Sequence, residues 1–264
     1  MKWVGGKRQL LPAILRALPN GRIRRYAEPF VGGGAVFFEL VRLGRVDSAI
    51  LCDTNVDLIA AYRAVKEVPE QLIAALRQHK NTEAHYYAVR SLDPDSLPLA
   101  ERAARTIYLN RCGYNGLYRV NLAGRFNVPF GRYSNPRMCD VDGLLVASKA
   151  LQCAELRVAD FEDAVADLRR GDVAYFDPPY VPLSVTSSFT AYTRHGFTIE
   201  DQKRLRDVAA GLKKRRVRVA LSNSSAPVVR ELYGEGFSCI DVSATRMVNC
   251  NGDARGPVTE LIIT

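Results

Sequence analysis

The sequence lacks the patterns that mark a secreted, membrane-spanning or zinc-binding protein. Its six cysteines are scattered, with no C-x-x-C pair and no histidine partners at zinc spacing. No apolar run approaches the ~20 residues of a membrane span, and the first residues show no signal-peptide apolar region. We therefore expect a cytoplasmic protein with reduced cysteines, no metal site and no membrane partner.

Acidic residues are outnumbered as well: 28 Asp and Glu stand against 37 Lys and Arg, for a formal net charge of +9. This balance favours a polyanionic partner, although a solvated basic surface has the same composition. The length of 264 residues suits one large α/β domain or a core domain with an insertion. The positions of the arginines must show whether the charge reflects a polyanionic partner or only a solvated basic surface.

Short apolar runs alternate with helical segments in much of the chain. Runs typical of buried strands lie at 24–27, 49–52, 156–159, 173–176 and 217–221. Helical segments such as 199–212 and 226–232 separate most of them, which predicts a Rossmann-like, mostly parallel sheet with helices on both faces. Two last runs, 237–242 and 258–264, predict a terminal antiparallel pair.

The stretch between residues 60 and 150 is too long for a single crossover of that sheet. We interpret it as a mainly helical insertion that carries a β-hairpin. The predicted domains are a catalytic domain, 1–59 and 145–264, and an inserted target-recognition domain, 60–144. Ligand sites of parallel sheets form at the carboxyl ends of the strands, so the insertion is expected to supply substrate contacts.

One apolar run ends in the tetrapeptide Asp177-Pro178-Pro179-Tyr180. Prolines cannot continue a ladder of backbone hydrogen bonds, so the chain must leave the sheet there. The Asp177 carboxylate and the Pro178 carbonyl are then two acceptors that can hold one amino group, and Tyr180 offers a flat ring for stacking. Such a site suits methylation of an exocyclic base amine. The alternative is a plain proline-rich turn with an acidic cap.

Glycines and acidic residues follow three other strands. Gly32–Gly34 let the backbone approach a ligand, and Asp53 ends the second strand at a spacing typical of a ribose-binding acid. Asp160-Phe161 offer one polar and one stacking contact to an adenine ring. Each feature also has a structural explanation as a loop, a strand-end turn or a helix N-cap. Their joint occurrence at successive strand ends predicts a crevice for a nucleoside-bearing cofactor.

Two nucleotide-binding motifs are not supported. The glycine loop has Phe37 at the third glycine position of G-x-G-x-x-G, which weakens a dinucleotide fingerprint. The segment Trp3–Lys7 has two glycines before its lysine but lacks the frame of a phosphate-binding loop, so ATP hydrolysis is not indicated. Lys7 is suited instead to hold the carboxylate of an amino-acid-bearing cofactor, with Trp3 packed beside it.

With these motifs the chain resembles the Dam-type DNA adenine-N6 methyltransferases, the D12 class, alpha group. In this group the cofactor motif comes first, then the recognition region, then D-P-P-Y. The likeness runs over nearly the whole chain. It is carried by Lys2–Lys7, Glu28–Gly32, Asp53–Asn55, Leu109–Leu117, Phe126–Tyr133, Asp177–Tyr180, Ser188–Tyr192 and Ser222–Asn223.

The resemblance implies a fold typical of S-adenosylmethionine-dependent methyltransferases and transfer of a methyl group to N6 of adenine in double-stranded DNA, with base flipping and no metal ion. Catalysis is assigned to Asp177, Pro178, Pro179 and Tyr180. The predicted cofactor contacts are Trp3, Lys7, Glu28, Phe30, Gly32, Gly34, Asp53, Asp160, Phe161 and Asp177. We expect a monomer that is cytoplasmic and reaches the nucleoid through DNA.

DNA contacts are expected from a hairpin in the insertion. Residues 117–122 alternate in polarity, Ala123-Gly124 can turn, and 125–128 return. A two-stranded ribbon fits the major groove, where arginine reads guanine. We assign base readout to Arg119, positions near the displaced pair to Asn115 and Leu117, and a thymine-methyl contact to Pro129. The remaining predicted DNA contacts, with phosphates assigned to the arginines, are Lys2, Arg111, Arg132, Arg137 and Ser188.

The likeness of this hairpin to the Dam type makes GATC the predicted target. Two rival functions stay open at this point. One is a catalytically silent DNA-binding protein on the same fold, for which Asp177 would be dispensable. The other is a nicotinamide-dependent oxidoreductase that uses the glycine loop. That activity needs a hydride-handling His or Tyr site, and the three histidines His79, His85 and His195 suggest none.

Overall fold

The structure is a computed structural model, and it describes residues 6–182, 197–245 and 257–264. Lys2, Trp3 and Ser188, which the sequence analysis assigns to cofactor or DNA binding, lie outside these residues. By its internal contacts the chain divides into two units: a sheet unit, Lys7–Cys52 with Ala159–Thr264, and a helical unit that contains Asp53–Val158. The predicted insertion, 60–144, falls inside the helical unit, and its role in DNA recognition stays a prediction.

The sheet unit alternates strands and helices, here numbered in chain order over both units. Its strands are β1 (Ile23–Glu28), β2 (Val46–Asp53, ending on the first residue of the helical unit), β4 (Val173–Phe176), β5 (Arg218–Ser224), β6 (Cys239–Thr245) and β7 (Pro257–Ile263). Its helices are α1 (Leu11–Ala17), α2 (Ala35–Arg42), α8 (Phe161–Val165), α9 (Ile199–Lys214) and α10 (Pro227–Leu232), with a 3₁₀ turn at Lys7–Gln9.

The strands of this unit are ordered β2-β1-β4-β5-β7-β6. The first four run parallel, and β7 is antiparallel to both β5 and β6. The predicted fold class, a mostly parallel sheet with a terminal antiparallel pair, is confirmed. In the register of β4 and β5, Phe176 lies opposite Leu221, so the next residues, Asp177 and Ser222, come level at the carboxyl edge.

Continuous apolar runs explain why the central strands are buried. All four residues of β4 are buried, as in a parallel strand covered on both faces. Helix α9 covers this sheet with Leu205, Ala209 and Leu212, which lie in the same apolar cluster as Ala174 and Phe176. The helix begins in a capping box, because Thr198 accepts from the Asp201 N–H and Asp201 accepts from the Thr198 N–H.

The helical unit packs around a core of its own. Its helices are α3 (Val56–Glu67), α4 (Pro69–Arg77), α5 (Glu83–Ser91), α6 (Leu99–Cys112) and α7 (Val141–Leu151), with 3₁₀ turns at Pro94–Ser96 and Tyr114–Gly116 and one strand, β3 (Ala154–Val158). Around α6 the core contains Tyr86, Tyr108 and Cys112, so this cysteine is a free thiol in an apolar site. No helix in the described part of the chain has the length and apolar character to cross a membrane.

The predicted hairpin forms, but its arms are not the regular strands that the alternation predicted. One bridge pairs Val120 with Phe126, and the Asn127 N–H donates to the Arg119 carbonyl at 3.0 Å. The return arm turns inward instead of continuing a ladder, since Phe126 and Val128 are buried in the helical core. A pattern of alternating polarity within the hairpin cannot show that one of its arms will be buried against helices elsewhere in the sequence.

The turn of the hairpin is longer than the predicted Ala123-Gly124. The Asn121 N–H donates to the Arg125 carbonyl at 2.8 Å, and the Asn121 side chain accepts from the N–H groups of Ala123 and Arg125. Gly124 has a φ of 74°, the left-handed conformation that closes a three-residue hairpin loop. The tip is exposed and held by one asparagine side chain.

Candidate active site

Asp177 directly follows β4 and is bound by two donors from the sheet unit. Its Oδ1 accepts from Lys7 Nζ at 2.9 Å and from Ser222 Oγ at 2.8 Å. Ser222 is fully buried on β5, and its hydroxyl also exchanges a hydrogen bond of 2.9 Å with the Tyr175 hydroxyl. These bonds fix the orientation of the carboxylate without using its second oxygen.

The acceptors left over at this strand end are Asp177 Oδ2 and the Pro178 carbonyl. Lys7 and Ser222 both bind Oδ1, and no residue among 6–182, 197–245 and 257–264 donates to Oδ2 or to the Pro178 carbonyl. The Asp177 side chain keeps 20% of its surface exposed. Two acceptors that bind no donor of the described residues therefore lie on adjacent residues, and their role in binding one amino group stays a prediction.

The pKa of the Asp177 carboxyl depends on two opposing effects, burial and the donors that bind it. Burial raises the pKa of the Asp177 carboxyl above its ordinary value, while Lys7 and the Ser222 hydroxyl oppose this shift. A carboxylate whose negative charge is only partly compensated by nearby donors is a strong hydrogen-bond acceptor. It also gains from any positive charge that develops beside it.

Tyr180 is anchored at its hydroxyl and covered by Lys7. The hydroxyl donates to Glu260 Oε2 on β7 at 2.8 Å, and Lys7 Nζ lies 4.5 Å from the ring centroid. Burial raises the pKa of Tyr180, with Asp177 as a further cause, so the hydroxyl stays a donor to Glu260. The ring is thus held in one orientation beside Asp177.

Glu28 ends β1 below the glycine loop. Its Oε2 accepts from the Tyr26 hydroxyl at 3.0 Å and from the Phe37 N–H, in the first turn of α2, at 3.2 Å. Burial raises the pKa of the Glu28 carboxyl to about 8, although the Tyr26 hydroxyl lowers it. At neutral pH this side chain is mainly a neutral acid. It ties β1 to α2 across the loop that was predicted to bind the cofactor.

The glycine loop adopts the conformations that require glycine. Gly32 and Gly34 have φ values of 45° and 65°, in the left-handed region that most other residues avoid. The Gly34 N–H closes the turn on the Val31 carbonyl at 2.7 Å, and α2 starts at the next residue. The backbone therefore turns sharply at the carboxyl edge of β1, where a ligand can approach the start of α2.

Phe30, Asp160 and Phe161 form a second group of predicted cofactor residues. Phe161 is 2% exposed, stacks on Phe30 with ring centroids 5.5 Å apart, and lies below the Arg204 guanidinium at 4.5 Å. Asp160 caps α8 through the Glu162 N–H and pairs with Arg204 at 3.0 Å. The structure gives these residues packing and capping roles, and their contact with an adenine ring stays a prediction.

In the helical unit, Asp53 is half-buried and starts an Asx turn. Its Oδ1 accepts from the Asn55 N–H at 3.0 Å, and Asn55 in turn caps α3 through the Leu58 N–H. The structural explanation of this acid as a strand-end turn is therefore observed. A role for its other oxygen in ribose binding stays a prediction.

The predicted DNA contacts of the helical unit occupy varied environments. Arg119 Nε donates to Asn127 Oδ1 at 2.6 Å across the hairpin, and Asn115 sits in a left-handed conformation with a φ of 54°. Leu117 packs partly on the core around α6, whereas Pro129 is exposed. Of the three arginines assigned to phosphates, Arg111 is half-buried. The side chain of Arg132 is 78% exposed and lies beside Glu83, and that of Arg137 is 68% exposed and lies beside Asp140.

Sequence reasoning gave no role to several polar residues that surround Asp177–Tyr180. Ser222 and Asn223 were noted only as part of the resemblance, and Gln202 and Glu260 were not noted at all. The signal was present in β5, where Ser-Asn-Ser follows Val-Ala-Leu inside a strand that is buried to its end. Polar residues in such a strand need partners, and those partners point to the site.

No group of three or more His, Cys, Asp or Glu side chains suited to a metal ion occurs within the described ranges. The chemistry of the site is that of a carboxylate, carbonyl oxygens, an ammonium group and a phenol ring. These groups can bind an amine, a carboxylate and an aromatic ring.

Comparison with known proteins matches residues 3–248 to the family model of the D12 class N6 adenine-specific DNA methyltransferases. The chain belongs to this family. The D12 methyltransferase is 45% identical to the type II methyltransferase M1.LlaDCHI of Lactococcus lactis subsp. cremoris, over 100% of this chain and 93% of that protein. It is 41% identical to the type II methyltransferase M.MjaIII of Methanocaldococcus jannaschii, over 100% and 97%. It is 40% identical to the DNA adenine methylase of Escherichia coli K12, over 99% and 93%.

The predicted family and enzyme class are thereby confirmed: the D12 methyltransferase is an adenine-specific DNA methyltransferase. Family membership removes the oxidoreductase as an interpretation of the glycine loop.

Proposed function

We propose that this methyltransferase transfers the methyl group of S-adenosylmethionine to N6 of adenine in duplex DNA, at GATC, after the target nucleotide has left the stack. The observation that carries the proposal is a pair of acceptors on adjacent residues at the carboxyl end of β4, Asp177 Oδ2 and the Pro178 carbonyl, to which no donor of the described residues binds. They match the two N–H donors of one amino group.

The N6 amine is a poor nucleophile because its lone pair is delocalised into the adenine ring. Hydrogen bonds to Asp177 and Pro178 favour a pyramidal nitrogen and stabilise the positive charge that develops on it during transfer. The raised pKa of Asp177 indicates that its charge is not fully compensated by Lys7 and Ser222. This carboxylate therefore gains more from a cationic amine than from a neutral one, and the transition state is stabilised over the ground state.

The residues around the glycine loop fit S-adenosylmethionine. When bound, this cofactor supplies a methyl group on a positively charged sulfur. The Lys7 ammonium group, a cationic donor that lies beside Asp177 and the Tyr180 ring, is proposed to hold the cofactor carboxylate. The left-handed turn at Gly32 and Gly34 is proposed to lie against the cofactor, and Asp53 is proposed to bind the ribose hydroxyls.

Contacts with the DNA target are proposed for residues of each unit, on the basis of their side-chain chemistry. Tyr180, anchored through Glu260, is the proposed stacking partner of the everted adenine. The exposed arginines and the hairpin of the helical unit are proposed to bind duplex DNA, which makes residues 60–144 the target-recognition domain. A monomer that acts on cytoplasmic DNA is sufficient for this reaction. The choice of GATC rests on the likeness of the hairpin to the Dam type.

Treating unmethylated plasmid with the protein and S-adenosylmethionine tests the whole proposal. Sequencing for N6-methyladenine is expected to find the modification at the adenine of GATC and nowhere else. A different modified sequence would refute the target while sparing the chemistry. No modification, together with tighter equilibrium binding of NAD than of S-adenosylmethionine, would refute the cofactor.

The hairpin assignment predicts a specific effect of Arg119→Ala. Arg119 donates to the Asn127 side chain and carbonyl, so its guanidinium is held across the hairpin that is proposed to enter the major groove. Its removal should relax specificity at one guanine by ~1 to 3 kcal/mol of discrimination. Steady-state rates on GATC and on single-substitution duplexes measure this.

Arg132→Ala provides the contrast, because this arginine is assigned to a phosphate. It should weaken binding to all of these duplexes alike and reduce the salt dependence of binding. If Arg119→Ala gave the same uniform loss, Arg119 would be a phosphate contact and the readout assignment would be incorrect.

A further inference from the structure

The loop after Asp177 has few backbone N–H groups that could fix its conformation. Pro178 and Pro179 lack N–H groups, so the backbone between Asp177 and Tyr180 cannot be fixed by donating hydrogen bonds. Each proline fixes φ but leaves ψ free, and ψ decides where the carbonyl points. The loop must therefore be held through its own carbonyl groups and through the N–H of a later residue.

Gln202 and Asn223 make these contacts. Gln202 Nε2, on α9, donates to the Pro179 carbonyl at 3.0 Å, and its Oε1 accepts from Asn223 Nδ2, on β5, at 3.0 Å. Asn223 Oδ1 accepts from the Val181 N–H at 3.4 Å and from the Ser224 N–H at 2.8 Å. Both side chains are 1% exposed.

The orientation of the two amides is fixed by the backbone groups at the ends of the chain of hydrogen bonds. The Pro179 carbonyl can only accept, so the NH₂ group of Gln202 must face it. The Gln202 oxygen then requires the NH₂ group of Asn223, which leaves the Asn223 oxygen for two N–H groups. Every contact has a donor and an acceptor in the correct place.

We propose that Gln202 and Asn223 are positioning residues for catalysis. They hold the Pro179 carbonyl and the Val181 N–H, on either side of Tyr180, so that the Pro178 carbonyl stays free for the N6 amine. Neither side chain touches the substrate. The inference rests on the proposed role of the Pro178 carbonyl in amine binding.

Gln202→Glu tests the proposal within one folded protein. The carboxyl group that this substitution introduces has the shape of the amide when protonated, and it then donates to the Pro179 carbonyl and accepts from Asn223, whereas the ionised form cannot donate. The ratio of the variant's kcat to that of the native enzyme is therefore expected to be near one at low pH. It should fall by roughly 10-fold or more between about pH 5.5 and 8.5, since displacements near 1 Å can cost ~100-fold.

The ratio cancels the pH dependence that Asp177 gives to both proteins. Gln202→Met, which has a similar size and no donor, should have a low kcat ratio at every pH. Gln152→Glu controls for the substitution itself, because Gln152 also donates to backbone carbonyls, of Lys66 and Ser148, but is exposed and lies in the helical unit. Its ratio should stay at one.

A merely structural role would change KM or thermal stability with kcat, while the positioning role lowers kcat and leaves both KM values within about 2-fold. A flat Gln202→Glu ratio of one across the pH range would overturn the inference and leave the proposed function intact. Native enzyme that is inactive with S-adenosylmethionine would overturn both. If Gln202→Glu does not fold, Asn223→Asp gives the same test, because its ionised form cannot donate to Gln202.

Discussion

Replacing Asp177 by asparagine should lower kcat for methyl transfer by at least ~100-fold, the loss typical of removing one electrostatic contact to a developing charge. Asparagine keeps the size of the side chain and can still accept from Ser222 and Lys7. It removes the negative charge, and its amide can present N–H groups to an amine that needs acceptors. Single-turnover methylation of a GATC duplex measures the change.

The effect should appear in kcat more than in KM, because the charge on N6 develops only during transfer. Asp207→Asn is a suitable control, since Asp207 is an exposed acid that pairs only with Arg206 at 3.2 Å among the described residues. It should keep native kcat. Full activity in Asp177→Asn would mean that the site is not the one that holds the amine. Unchanged DNA binding without any native activity would favour the catalytically silent alternative.

Glu28→Gln should make the cofactor-free protein more stable at high pH and leave its stability unchanged at low pH. Burial raises the pKa of this carboxyl from 4.5 to about 8 in the folded state. Below the unfolded value the group is neutral in both states. As pH rises from 4.5 towards 8, only the unfolded chain releases the proton, so stability falls across this window.

The size of this effect is set by the shift of the Glu28 pKa from 4.5 to about 8, at about 1.36 kcal/mol per pKa unit, and is at most roughly 5 kcal/mol. Glutamine mimics the neutral acid, because its oxygen can accept from Tyr26 and Phe37 as Glu28 does. The melting temperature of Glu28→Gln should therefore exceed that of the native protein by on the order of 10 °C near about pH 8.5. Near the unfolded pKa of 4.5 the two should coincide.

Glu39→Gln is the control for this measurement. Glu39 is on α2, the helix that Glu28 contacts through the Phe37 N–H, and the hydrogen bond from Arg42 lowers the pKa of the Glu39 carboxyl. Its contribution is present above the unfolded pKa and lost as pH falls, so its replacement should slightly lower the melting temperature at high pH. A constant difference between Glu28→Gln and the native protein at all pH values would show that folding does not shift the Glu28 pKa.

The strands were predictable because a strand that is buried on both faces consists of consecutive apolar residues. The run Val173–Phe176 predicted β4 to the residue, and the prolines after it predicted where the chain leaves the sheet. The order of strands and helices then predicted the parallel sheet and its terminal antiparallel pair. The hairpin was predicted less well, because the burial of Phe126 and Val128 depends on helices distant in sequence.

The sequence by itself determined the fold class, because this depends on local patterns of apolar residues, proline and glycine, and it determined the family through the likeness of its motifs. Only the tertiary structure decided how polar groups are paired. Lys7 reaches Asp177 from the other end of the sheet unit's sequence, Gln202 reaches Pro179 from another helix, and Phe161 is buried under Arg204. A polar side chain has many possible partners in a sequence, and the register of strands and helices selects one of them.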